Sequence, residues 1–245
     1  MRKPTRPDYG IDAPRVQGRF FILGLLGIVA GLVLLSAGPH ILHPALAMSL
    51  GMTLLCPGIS LLATAGFMLW GSKVGKLDLA EKMIQRLALR GDERVLDVGC
   101  GHGLMLITAA KRLPNGKAVG IDLWQSEDQA GNNPEATLAN ARLEGVAERI
   151  ELKTGDAHQL PFEEGSFDAV VSSWALHNIY EQGGREKAIR EIARVLKPGG
   201  RAAIVDIRHT REYERLLRGV RFEVTCHGPN FMFVIPSYWL LATKI

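Results

Sequence analysis

The 245-residue sequence predicts an α/β protein: a doubly wound, mostly parallel sheet preceded by two apolar helices that form a transmembrane hairpin. Three observations lead there. No Lys, Arg, Asp or Glu occurs in the 53 residues from Phe20 to Ser72, so all 54 formal charges (29 basic and 25 acidic) lie in the other 192. From Asp78 onward, short apolar runs alternate with amphipathic ones, the pattern of successive βαβ units. The first of these runs ends in Gly99-Cys100-Gly101-His102-Gly103, a glycine-rich turn that opens a helix.

The charge-free stretch divides into Phe20–Ala37 and Ala45–Trp70, 18 and 26 residues, separated by a break that contains Pro39 and Pro44. At about 1.5 Å per residue these span roughly 27 and 39 Å, against a hydrocarbon core of about 30 Å. Both are long enough to cross, the second with tilt or a kink at Pro57. Gly24, Gly27 and Gly31 on the first helix, with Ser60 and Ala63 on the second, are small enough to let the two approach closely. Such faces permit oligomerisation without establishing it.

Arg2, Lys3, Arg6, Arg15 and Arg19 precede the first run, Lys73 and Lys76 follow the second, and the connecting turn carries only His40 and His43. The positive-inside rule then puts both termini, and everything after the hairpin, in the cytoplasm. Ala45-Leu46-Ala47 imitates a signal-peptide cleavage site, but a second long apolar run follows at once. The expected organisation is a basic arm over residues 1–19, the hairpin over 20–71 (helices 20–37 and 45–70), and a second domain over 72–245. Residues 1–71 carry five basic and two acidic groups, the remainder 24 and 23. The basic balance therefore suits an anionic leaflet. No basic stripe in the second domain suggests nucleic acid. Cys56, Cys100 and Cys226 make neither a metal site nor a disulfide framework.

In the second domain, punctuation and periodicity predict a helix near 78–89 and strands at 94–98, 118–121, 150–153, 169–172 and 201–206. Helices are expected at 104–113, 135–144, 185–196 and 211–219, and two closing strands near 221–225 and 238–243. Lys197-Pro198-Gly199-Gly200 reads as a turn.

In an open α/β sheet, a glycine-rich turn at the carboxyl end of the first strand is where a nucleotide-like ligand binds. The spacing is Gly-x-Gly-x-Gly; the dinucleotide fingerprint would need glycine where Leu104 stands. Asp97, just before the turn, would repel a pyrophosphate and suits a cofactor with a cationic end. Asp122 closes the second strand, where a carboxylate accepts the hydroxyls of a ribose, and Leu123 follows it. Asp156, with Ala157 beside it, ends the third strand and can read an adenine amine or close an Asx turn. The fourth strand ends in Ser173-Trp174-Ala175-Leu176-His177-Asn178 at the same edge, where an acceptor would meet the cofactor. His177 reads either as a general base or as a histidine bonded to backbone at a helix start. His102 reads as packing beneath a cofactor. The polar loop over 123–134 reads as a lid or as solvated chain, with Trp124 able to stack on adenine.

VLDVGCGHG, GIDL, GDAHQLPF, FDAVVSSWALHNI and LKPGG, in that order, resemble the class I S-adenosylmethionine-dependent methyltransferases. The likeness is strongest to the small-molecule branch that includes ubiquinone and menaquinone biosynthesis enzymes, and it covers about residues 90–206. It implies a Rossmann-like, seven-stranded sheet with an antiparallel last strand, and S-adenosyl-L-methionine as cofactor. It further implies that Gly99, Gly101 and Gly103 shape the methionine and ribose pocket and that Asp97 helps hold the methionine ammonium, directly or through water. Asp122 would take the ribose hydroxyls, Asp156 and the Ala157 amide would read adenine, and Ser173 would lie beside the methionine. The function expected is a membrane-anchored methyltransferase acting on a small or lipid-like acceptor, without a metal. The alternatives are a dinucleotide-dependent oxidoreductase, or a noncatalytic membrane scaffold that keeps the fold.

Overall fold

A computed structural model describes residues 6–125, 131–231 and 236–245. The chain forms two compact units, one covering Ile11–Lys73 and the other joining residues up to Gly10 with most of the chain from Val74 onward.

The first unit is a helical hairpin. Helix α1 (Pro14–Ser36) and helix α2 (Pro44–Trp70) both begin on proline, whose fixed φ suits the first helical position. A 3₁₀ turn, Gly38–His40, lies between them. Helix α1 starts six residues before the apolar run, because Pro14 and the helix-tolerant Arg15, Gln17 and Arg19 extend it; the change in polarity is not the helix boundary. Both helices are long and apolar enough to cross a membrane. Leu23, Leu26, Val29 and Val33 of α1 are each more than half exposed. The hydroxyls of Thr53, Ser60 and Thr64 return to the carbonyls four residues earlier, which leaves these polar groups satisfied within the helix.

Glycine lines the contact between α1 and α2. A Cβ on Gly58 would stand 2.7 Å from the Ile28 amide nitrogen and 2.9 Å from the Gly24 carbonyl oxygen, and one on Gly31 would stand 2.8 Å from the Gly51 carbonyl. Gly24, Gly27 and Gly31 therefore face α2 as expected. Ser60 and Ala63 do not face α1: they are exposed, and the buried positions of α2 are Ala47, Gly51, Gly58 and Ala65. The seven-residue spacing of the last three selects a different helix face. Gly58→Leu should destabilise the hairpin by about 1–3 kcal/mol, the range for overpacking a close contact. In detergent this reads as protease sensitivity at lower temperature, and an unchanged profile would show that the helices need not touch there.

The second unit carries the sheet. Helix α3 (Lys76–Arg86) precedes β1 (Arg94–Val98), α4 (Leu104–Ala110), β2 (Lys117–Asp122), α5 (Pro134–Leu143) and β3 (Ile150–Thr154). Then come β4 (Phe167–Ser173), α6 (Gln182–Val195), β5 (Leu196–Asp206), α7 (Thr210–Gly219), β6 (Phe222–Asn230) and β7 (Ser237–Lys244). The seven strands lie in the order β3-β2-β1-β4-β5-β7-β6. All neighbours pair in parallel except at β7, which runs antiparallel to both β5 and β6. Central strands covered on both faces are nearly all apolar, and Leu96, Val119, Val170 and Ala202 are fully buried.

Two elements differ from the sequence expectation. Lys197–Gly200 is not a turn outside the sheet: Phe167 pairs with Leu196 and Ala169 with Arg201, so these residues bulge within one long β5. The bulge needs Gly199 at φ +76°. Strand β6 extends to Asn230, where His227 stacks on Trp239 of β7 with ring centroids 4.1 Å apart.

The order reverses between β1 and β4, each the other's parallel neighbour, with Asp97 opposite Val171. The carboxyl ends of β1, β2, β3, β4 and β5 thus bring Val98, Asp122, Thr154, Ser173 and Asp206 to one edge of the sheet.

Candidate active site

The centre of this edge is the turn from β1 into α4. Gly99, Gly101 and Gly103 adopt φ of +74°, +49° and +86°, a region that favours glycine. Space is as restrictive as conformation. A Cβ on Gly99 would fall 2.2 Å from the Ala175 Cβ, and one on Gly103 would fall 2.7 Å from the Thr137 methyl. The segment after β4 therefore lies against the glycine turn. The turn is tied down by Thr137 Oγ1, which donates to the Gly101 carbonyl at 2.6 Å, and by the Gly101 amide, which donates to Asp122 Oδ2 at 2.8 Å.

Asp97 is 1% exposed, and among the described residues neither carboxylate oxygen has a hydrogen-bonding partner of normal geometry. Burial pushes its pKa up to about 8, the Asp122 carboxylate adds to the rise, and the Leu106 amide offsets part of it. Burial also pushes the neighbouring Cys100 thiol well up, which leaves it a packing group rather than a nucleophile.

Asp122 ends β2 and gathers donors. Its Oδ1 accepts from the Trp124 amide at 2.7 Å and the Asn132 side-chain amide at 3.1 Å. Trp124 takes φ +59°, and its indole N–H donates to Thr154 Oγ1 at 2.9 Å. Residues 126–130, the middle of the loop expected as a lid, lie outside the described residues. Asp156 shows its Asx turn: Oδ1 accepts from the His158 amide at 2.9 Å and lies against the His158 ring. Ala157 is partly buried against the core. Ser173 ends β4 opposite Val205. Beside it, the Ser172 hydroxyl is spent on the Val98 carbonyl at 2.8 Å.

His177 follows in a 3₁₀ turn, Leu176–Asn178. Its amide donates to Asp206 Oδ2 at 3.0 Å, and its Nδ1 stands 2.6 Å from Asp206 Oδ1. The separation is that of an ion pair, although the angle is not that of a straight hydrogen bond. Asp206, fully buried at the end of β5, also accepts from the Ile207 amide and the Tyr213 hydroxyl. Burial, reinforced by Asp206, pushes the Tyr213 phenol well up and keeps it protonated. The sequence reading placed His177 at this edge but overlooked Asp206, whose signal was an acidic residue closing a parallel strand.

It also overlooked the residues before the hairpin. Asn140 of α5 donates to the carbonyls of Asp8 and His102, at 2.9 and 3.0 Å, and accepts from the Asp8 amide at 2.9 Å. The His102 ring lies against the Asp8 carbonyl at 3.1 Å, a strap contact that its expected place beneath a cofactor did not foresee. Tyr9 donates to Glu144. Buried Lys76 donates to the carbonyls of Tyr9 and Gly10 at 2.8 and 3.1 Å. Residues 8–10 are thus a strap held by the side chains of Asn140, His102, Glu144 and Lys76 beside the glycine turn.

Residues 96–204 match the family described as the methyltransferase domain. They form a methyltransferase domain. A demethylmenaquinone methyltransferase of Symbiobacterium thermophilum is 32% identical over 138 residues, 56% of this chain and 51% of that protein. The chain spans about half the length of the curated relatives it matches. Two solved structures share the fold of the methyltransferase domain and its surroundings. A methyltransferase described as SAM-dependent from Aquifex aeolicus aligns with TM-score 0.54 and 21% identity, over 71% of this chain and 98% of its own. The [4+2]-cyclase SpnF aligns with TM-score 0.58 and 22% identity, over 71% and 82%.

The residues of the methyltransferase domain fit its cofactor. A buried carboxylate with no partner among the described residues suits an ammonium, and a strand-end Asp with acceptor capacity left suits a hydroxyl.

Proposed function

We propose that this chain is a membrane-anchored methyltransferase that transfers a methyl group from S-adenosylmethionine to a small, lipophilic acceptor. The observation that carries the reading is Asp97. A fully buried, unpartnered carboxylate at the mouth of a nucleotide-type turn is stabilised by a cation, which the cofactor's amino-acid end supplies. A pyrophosphate there would meet Asp97 and Asp122 together, which disfavours a dinucleotide.

S-Adenosylmethionine supplies a methyl group on a cationic sulfur, displaced in one step by the acceptor atom. The protein's own residues orient and deprotonate. Asp97 holds the ammonium, Asp122 the ribose and Asp156 with the Ala157 amide the adenine. Leu123 would line the ribose side of the site, and Ser173 the methionine side. Position and alignment supply most of the acceleration of such a displacement. Asp206 draws the proton of His177 to Nδ1, and Nε2 is then the nitrogen that receives a proton from an acceptor hydroxyl or acidic carbon.

The relation to a demethylmenaquinone methyltransferase supports a ring acceptor with a lipid tail. The two apolar helices support a location at the bilayer, with arm and methyltransferase domain on its cytoplasmic face. The strap adds support for a two-pass topology, since Tyr9 and Gly10, before the first apolar helix, are bonded to Lys76, after the second.

Calorimetry tests the cofactor assignment: S-adenosylhomocysteine binds and NADH does not, whereas tight binding of NADH alone would overturn the reading. Incubating membranes with methyl-labelled S-adenosylmethionine should place label in the lipid extract. After an alkaline wash of membranes the protein should stay in the pellet, and its release into the supernatant would overturn the anchor.

A further inference from the structure

The carboxylate of Asp122 does not have room for both hydroxyls of a ribose. A carboxylate offers about four acceptor positions, two on each oxygen. Asp122 Oδ1 has used both of its own, on the Trp124 amide and the Asn132 side chain, and Oδ2 has used one on the Gly101 amide. One position remains, against two vicinal hydroxyls.

The missing acceptor is beside it. Asn132 is 8% exposed; its Nδ2 donates to Asp122, and its Oδ1 is buried with no partner among the described residues. The amide cannot be turned round, because a carbonyl facing the Asp122 carboxylate would set acceptor against acceptor. A buried amide carbonyl left unpaired is costly unless a ligand pairs it.

We propose that Asn132 is a cofactor-binding residue whose Oδ1 accepts a hydrogen bond from one hydroxyl of the ribose, with Asp122 Oδ2 accepting from the other. This rests on the methyltransferase reading and extends it to a residue of the loop after β2. It makes the site selective for an intact diol.

The test is calorimetry on the full-length protein in detergent, with S-adenosylhomocysteine and its 2′-deoxy and 3′-deoxy analogues. Each deoxy analogue should bind the native protein about five- to tenfold more weakly, the weight of one hydrogen bond. Asn132→Ala should lose a similar factor for S-adenosylhomocysteine, and one of the two analogues should then show no further loss. Native protein indifferent to both deletions overturns the proposal without reference to any variant. So does an Asn132→Ala protein that keeps the native affinity, or that keeps both deoxy penalties in full. Native protein that fails to bind S-adenosylhomocysteine at all removes the methyltransferase reading first, which separates the two failures.

Discussion

Asp97→Asn should weaken binding of S-adenosylhomocysteine by at least about 100-fold, because it leaves a desolvated ammonium without its counter-charge, a loss of roughly 3–5 kcal/mol. The change is close to isosteric, so the strand should remain intact and the loss should appear in affinity rather than in folding. The proton balance gives a second reading of the same residue. Burial raises the pKa of Asp97 to about 8 in the cofactor-free protein, so at pH 7 the group is mostly protonated. An ammonium beside it favours the carboxylate and lowers that value, so binding at neutral pH releases a proton. Calorimetry in two buffers of different ionisation enthalpy should show release approaching one proton near pH 7 and fading above about pH 8. Asp97→Asn should show none. The same shift has a sign for stability. The folded state keeps a proton that the unfolded chain gives up above about pH 4, so the cofactor-free protein loses stability as pH rises from there toward about 8. The asparagine variant should lack that slope.

His177→Gln should lower kcat about 100-fold or more while leaving the affinity for S-adenosylhomocysteine within about twofold, since general-base catalysis is worth roughly that much and the ring sits on the acceptor side. Transfer from labelled S-adenosylmethionine to the lipid extract measures the first quantity, calorimetry the second. Asp206→Asn, which keeps the shape but removes the charge that orients Nδ1, should lower kcat by a smaller factor. Should His177→Gln transfer methyl at the native rate, the histidine is a structural group held by Asp206, and the acceptor reacts without a base.

What could be read from the sequence was chemistry confined to neighbouring residues. The run from Val95 to Gly103 carries strand, turn and helix start within nine positions, and Asp122 closes the next strand, so the cofactor edge is a local pattern repeated along the chain. Glycine spacing sufficed to separate it from a dinucleotide turn. Asp206 escaped because its partner His177 is 29 residues away and becomes adjacent only when β4 and β5 pair. Asn140 escaped for the same reason: it bonds across 38 residues to His102 and across 132 to Asp8. Asn132 looked like one more polar residue in a solvated loop, since nothing in its neighbours says that its amide is buried. In the hairpin, apolarity alone marked where the helices lie. It carried no information on helix phase, and Ser60 and Ala63 were placed on the contact face that Gly51 and Gly58 occupy.

The strap at Asp8–Gly10 has a consequence for how the molecule is made. Its residues leave the ribosome before both apolar helices, and Asn140 and Glu144, to which they bond, leave it long after. The strap is synthesised first and bonded last. A truncation that begins after the hairpin therefore takes both carbonyls from the Lys76 ammonium and two of the three hydrogen bonds from Asn140. A chain cut free of its two apolar helices should for that reason be less stable at the glycine turn. Restoring the first ten residues as a separate peptide would be the more faithful way to release it.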